Sequence, residues 1–166
     1  ALGHDVTLYC ARHRGSAHRE STRGFRIVRQ GSRLTVYADS LLAMRADESR
    51  DGRFDVVVDT QNGVPFFSSL VSPAPTVVLV HHCHREQWPV AGRLLGHIGW
   101  FLESRVSPRV HRRNRYVTVS TPSKSELVAL GVDAGRIAVV RNGIDPVPQG
   151  IEAPARTGAS TPGVPV

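Results

Sequence analysis

The stretch "TVVLVHHCHREQWP", residues 76–89, changes character at its midpoint. Apolar and β-branched residues run from Thr76 to Val80 and give way to His81, His82, Cys83, His84, Arg85 and Glu86. A run that is continuously apolar, not alternating, reads as a strand covered on both faces, the habit of parallel sheets. Strand candidates recur as short Val-rich runs at Val6–Ala11, Phe25–Arg29, Arg33–Ala38, Asp55–Asp59, Tyr116–Ser120 and Arg136–Arg141, several of them also continuously apolar. The third is separated from the second by "QGS", so the two read as a hairpin or one bent strand.

Helical patterns fall between the strands. "ADSLLAMRADESR" (38–50) places Leu41, Leu42, Met44 and Arg45 at helical spacing. "AGRLLGHIGWFLESRVSPRVHRRN" (91–114) carries Leu94, Leu95, Ile98, Phe101, Leu102 and Val106 as an i, i+3/i+4 stripe. "TPSKSELVALGV" (121–132) has a Ser or Thr cap, Pro122 in the first turn, Glu126 three residues after Ser123, and Gly131 as a stop. Strands alternating with helices predict an α/β fold, an open and mostly parallel sheet built from right-handed crossovers with helices on both faces.

In such sheets ligands sit beyond the carboxyl ends of the strands. The residues from His81 to Glu86 occupy that position, as do "TQNGVPFF" (60–67), Ser120 and "NGID" (142–145). Neighbouring strand residues point to opposite faces, so His81 pairs only with Cys83, and His82 only with His84. Structural zinc needs four ligands from paired clusters, and no second cluster exists. No metal site is expected. Two readings of the residues then stand side by side: a polar strand-end loop, or a ligand cleft. "NGID" alone reads as a turn. No G-x-G-x-x-G, Walker-type or G-x-S-x-G motif is present.

The chain has 166 residues, enough apolar content (40%) for one core, and a net charge of +7. Such a charge suits anionic partners. Lys124 is the sole lysine, a bias that a GC-rich coding sequence accounts for as well as phosphate recognition does. Arg105, Arg109 and Arg112 are expected on one helix face, opposite the apolar stripe, where they read as a solvated face or an anionic membrane contact. With aromatics at 6%, stacking platforms are scarce and no nucleic-acid partner is expected. Cys10 and Cys83 form no disulfide framework and read as small buried cysteines. No signal peptide is evident and no apolar run reaches the ~20 residues of a membrane span, so a cytoplasmic setting is expected.

Taken together, "GHDVTLYCAR", "FDVVVDTQNGVPFF", "PTVVLVHHCHREQW", "YVTVSTPSKSELVALGV" and "RIAVVRNGID" resemble, in order, the N-terminal domain of family 4 glycosyltransferases. The N-x-x-P-F-F and H-H-x-x-R-E-x-W segments are similar to those of a bacterial subset. The resemblance implies one half of a GT-B fold, two Rossmann-like domains across a cleft. It implies retaining transfer of a hexose from a nucleotide-sugar to a sugar or lipid-linked acceptor, without metal or other cofactor. His81 matches the family's strand-end histidine. His82, His84, Arg85, Glu86, Asn62, Gly63, Ser120, Asn142 and Gly143 match the surrounding cleft positions.

The resemblance also implies departures. The family's first strand with its Gly-rich loop, and its C-terminal domain with an E-x7-E signature, have no counterpart in this sequence. A domain over residues 1–145, lacking its first strand and open at that place, is expected, followed by a Pro/Gly/Ala-rich linker or tail over 146–166. The 166 residues alone are expected to be inactive. The rival readings are a basic module for anionic lipid or nucleic acid without catalysis, and another GT-B enzyme such as a sugar-nucleotide epimerase.

Overall fold

The computed structural model describes residues 3–22, 24–33, 35–83 and 87–143. His84, Arg85, Glu86 and the expected linker over 146–166 lie outside the described residues.

Strands β1 (Val6–Ala11), β2 (Arg19–Thr22) and β3 (Phe25–Gln30) form one sheet in the order β1-β3-β2. β1 and β3 are parallel, and β2 returns antiparallel along the outer edge of β3. β2 carries no apolar signal; its sequence, REST, is that of an exposed edge strand, so sequence patterning passes over it. The hairpin partner of β3 is therefore β2 and not residues 33–38. That expectation is corrected: Val36–Asp51 is the helix α1. Val36 and Tyr37 favour strands, but a turn in which the Ser32 amide donates to Thr35 Oγ1 (2.9 Å) starts the helix ahead of them. Val36, Ser40, Met44 and Asp47 then bury at helical spacing.

Four further strands, β4 (Val57–Gln61), β5 (Thr76–Val80), β6 (Arg115–Thr118) and β7 (Ile137–Val139), make an all-parallel sheet in sequence order. This is the Rossmann-like, mostly parallel architecture expected. Helical segments α2 (Arg93–Phe101), a π turn (Leu102–Val106) and α3 (Ser107–Val110) connect β5 to β6, and α4 (Thr121–Ala129) connects β6 to β7. Pro108 cannot donate to the carbonyl four residues back, and the wider π turn falls immediately before α3, with the Ser107 amide reaching the Leu102 carbonyl. Val78, Val80, Tyr116, Leu127, Val132 and Ile137 form the core beneath α4. α4 ends as expected at Gly131 (φ +95): the Val132 amide bonds the Leu127 carbonyl and Gly131 that of Val128, a Schellman closure.

The two sheets do not pair with each other, so β1 and β4 each leave one edge without a ladder partner among the described residues. Val6, Leu8, Val56 and Val58 are about half exposed along these strands. α1 ties the halves together. On one side the buried Asp47 takes Arg19 at 2.7 Å, Tyr9 Oη at 2.8 Å and Arg50 at 2.8 Å. Burial pushes the Asp47 carboxyl upward, but the hydrogen bonds from Arg19 and Tyr9 outweigh it and hold the group below the usual carboxylate range. On the other side Ser72 donates to Glu48 at 2.6 Å, and Tyr37 lies 4.8 Å from Phe66.

Candidate active site

Register brings the strand ends level. Gln61 on β4 lies opposite Val80 on β5, Val80 opposite Thr118 on β6, and Thr118 opposite Val139 on β7. The segments that follow, beginning at Asn62, His81, Val119 and Val140, therefore leave the sheet along one carboxyl edge.

Each is fixed differently. His81 and His82 are exposed, and the turn carrying them is pinned through its backbone. Ser123 Oγ donates to the His81 carbonyl at 2.8 Å, and the Cys83 amide donates to Glu126 Oε2 at 3.2 Å. Both anchors come from the first turns of α4, so β5 is tied to the helix that follows β6. The expected Ser123–Glu126 capping box is corrected accordingly. The cap is Ser120, whose hydroxyl accepts from the Ser123 amide at 3.2 Å, and Glu126 serves the neighbouring loop instead. Ser120 thus sits on the edge with the amino end of α4 behind it. Asn142 and Gly143 are exposed just past β7, which the Val140 amide extends by bonding the Thr118 carbonyl.

Cys83 is half-buried. Burial, then the charges of Glu103 and Glu126, push its thiol up to about 12, so it stays protonated at neutral pH and is a poor nucleophile. Among the described residues no group of three or more His, Cys, Asp or Glu side chains could hold a metal ion.

The loop after β4 is the most strongly determined part of the edge. Gly63 (φ +91) lies beneath Trp88: a Cβ there would meet the indole at 3.0 Å. Phe67 holds φ +61, the left-handed region, and is the only non-glycine residue to do so among those described. Asp59, buried on β4, clamps both its neighbours. Asp59 Oδ1 accepts from the Phe66 amide at 2.9 Å, and Oδ2 accepts from the Ser68 amide and hydroxyl, both at 2.8 Å. The fully buried His111 ring stacks on Phe67 with an interplanar angle of 3°, its Nε2 4.0 Å from Asp59. Asn114 donates to His111 Nδ1 at 2.8 Å, which leaves the ring proton on Nε2, facing the carboxylate.

Asp59 and His111 are the residues that sequence reading missed. Asp59 ends an expected strand and His111 lies within the stretch 91–114 expected to be helical, and nothing in local pattern links positions so far apart. The structure brings Asn62, Gly63, His81, His82, Ser120, Asn142 and Gly143 to one edge; His84, Arg85 and Glu86 lie outside the described residues.

Comparison with protein families matches residues 1–147 to Glycosyltransferase Family 4. The chain belongs to that family. Neither the curated proteins nor the solved structures compared with it give a match. Membership of family 4 supports a glycosyltransferase-type function in general, with sugar-related substrates, for the protein to which this domain belongs.

Proposed function

We propose that this chain forms the acceptor side of a retaining transferase that moves a hexose from a nucleotide-sugar to a sugar or lipid-linked acceptor, with no metal. The observation that carries the reading is the level register of Gln61, Val80, Thr118 and Val139, which lines up four polar loops at the edge where open α/β sheets take ligands. His81 contacts the transferring sugar or the charge that develops on the leaving phosphate, as preorganised electrostatic stabilisation. Asn62, Gly63 and Ser120 shape the neighbouring wall, Asn142 and Gly143 close it, and His82, His84, Arg85 and Glu86 belong to the same cleft loop. Holding the nucleotide falls to a second domain in this reading, so the 166 residues alone do not turn over nucleotide-sugars. The enzyme works in the bacterial cytoplasm, with Arg105, Arg109 and Arg112 touching the anionic inner face of the membrane.

Incubating the intact protein with a panel of nucleotide-hexoses, and reading products by anomeric proton NMR, tests this. A glycoside with the donor's anomeric configuration is expected. An inverted glycoside overturns retention, an epimerised nucleotide-sugar places the protein among epimerases, and binding without turnover makes it a non-catalytic module.

A further inference from the structure

The helix connecting β5 to β6 is folded inside out. Its large apolar residues face solvent: Leu94 is 74% exposed, Leu95 61%, Ile98 47% and Phe101 58%. Its inward side is made of Gly96, Gly99, Glu103, Ser104 and Ser107. An apolar stripe of this spacing ordinarily faces a core; here it does not, and Trp88 supplies the reason. Its indole lies against Gly99, where a Cβ would come within 2.2 Å of the ring, and its Nε1 donates to Glu103 at 2.6 Å. Only a small-residue face fits under that ring, and the Glu103 bond fixes the rotation. Turning the helix to bury its leucines would carry Glu103 outward and leave the Trp88 indole N–H without its acceptor.

The exposed line runs on through Arg105 and Arg109, spaced i+4 from Phe101 and from each other, and Arg112 follows beyond the helix end. The arginines therefore continue the apolar face; the expectation that they lie opposite it is corrected. Between Gln87 and Arg113 the only acidic residue is Glu103, which is fully buried. The result is an apolar stripe that runs from Arg93 into Arg105 and Arg109, with no exposed acid of its own segment along its length. Contiguous apolar surface of this kind on a soluble fold marks an interaction site.

We propose that this face, residues 90–112, lies in the headgroup layer of an anionic lipid bilayer, with Leu94, Ile98 and Phe101 inserted and Arg105 and Arg109 on lipid phosphates. Helices that present an apolar face bordered by arginines and lie in the plane of the interface bind in this way. A second copy of the chain offers no acid on this face to meet the arginines, whereas an anionic leaflet does. The segment is a surface helix and not a span: among the described residues no helix is long and apolar enough to cross a membrane. The proposal deepens the arginine contact proposed above and is independent of the transfer chemistry.

Sedimentation of the intact protein with phosphatidylglycerol/phosphatidylcholine vesicles, and with phosphatidylcholine alone, tests it. Binding is expected only with the anionic lipid and should weaken with salt. Arg105→Gln and Arg109→Gln should each weaken it about fivefold, the equivalent of ~1 kcal/mol per basic residue near the surface. Leu94→Gln with Ile98→Gln should weaken it roughly tenfold or more, with an unchanged circular dichroism spectrum because both side chains already face water. If the arginine variants weaken binding and the apolar pair does not, insertion is wrong and only a charge contact survives. If no variant matters, or the wild type ignores the vesicles, both contacts fall. Self-association abolished by the apolar pair would assign the face to a second copy. None of these results bears on turnover, which is read separately.

Discussion

Phe67 sits in a conformation that L residues adopt at a cost of order 1–3 kcal/mol, so something must hold it there. Asp59 does so from both sides, with acceptors for Phe66 and Ser68. Asp59→Asn keeps the size but puts an NH2 group where one set of donors points. It should destabilise the fold by roughly 2–4 kcal/mol, since charge-assisted bonds to buried groups are each worth about 1.5–3 kcal/mol. Urea unfolding measures this; a loss below 1 kcal/mol would show that the clamp is not what holds the loop. His111, buried beneath it, adds a pH dependence. Burial lowers its pKa, with the Asp59 charge opposing the shift only in part. Below pH ~6.5 an unfolded histidine takes up a proton that the folded one refuses, so stability falls as pH drops from that value. The unfolding midpoint should decrease between pH 7 and 5.5, and His111→Gln should flatten that slope.

At the scale of elements, local pattern located β1, β3, β4, β5 and α4 because each carries an apolar or β-branched run, or a cap, in its own sequence. It failed where tertiary contacts overrule local preference. Val36 and Tyr37 look like strand and start a helix. Arg19–Thr22 has no apolar face and forms a strand because β3 needs an edge partner. The α2 stripe had the right period and the wrong side, because Gly99 and Glu103 answer to Trp88 across a turn that periodicity cannot register. Gly99→Ala tests that account. At an open helix position the change should stabilise by about 1 kcal/mol. Here the new Cβ strikes the indole at 2.2 Å, and a loss of roughly 1–3 kcal/mol is expected from overpacking. A gain in thermal stability would show that Trp88 is free to move aside. The broken sheet makes a second prediction. Amide exchange at the outward edges of β1 and β4 should be much faster than in β5 and β6, whose ladders are flanked on both sides. Uniformly slow exchange would mean that the break closes in solution.

At the scale of the molecule, the α/β class and the family membership were legible because strand order and strand-end chemistry lie in contiguous motifs such as residues 76–83 and 136–143. The candidate site was legible only as separate loops; their common edge is a property of register, which one strand's sequence does not contain. The supports beneath it, Ser123 on the His81 carbonyl and Glu126 on the Cys83 amide, bridge residues 42 and 43 positions apart. The central claim is that this edge works as a transfer cleft with His81 in contact with the reacting groups. Because His81 is exposed and the turn is held through its backbone, His81→Ala should leave folding intact, which makes it a clean probe. The decisive measurement is steady-state hexose transfer by the intact protein carrying His81→Ala, with His4→Ala as a control remote from the edge. Loss of an electrostatic donor at the reacting centre predicts a fall in kcat of about 10²–10³-fold for His81→Ala and none for the control. Turnover unchanged by His81→Ala, with the fold verified, would contradict the account.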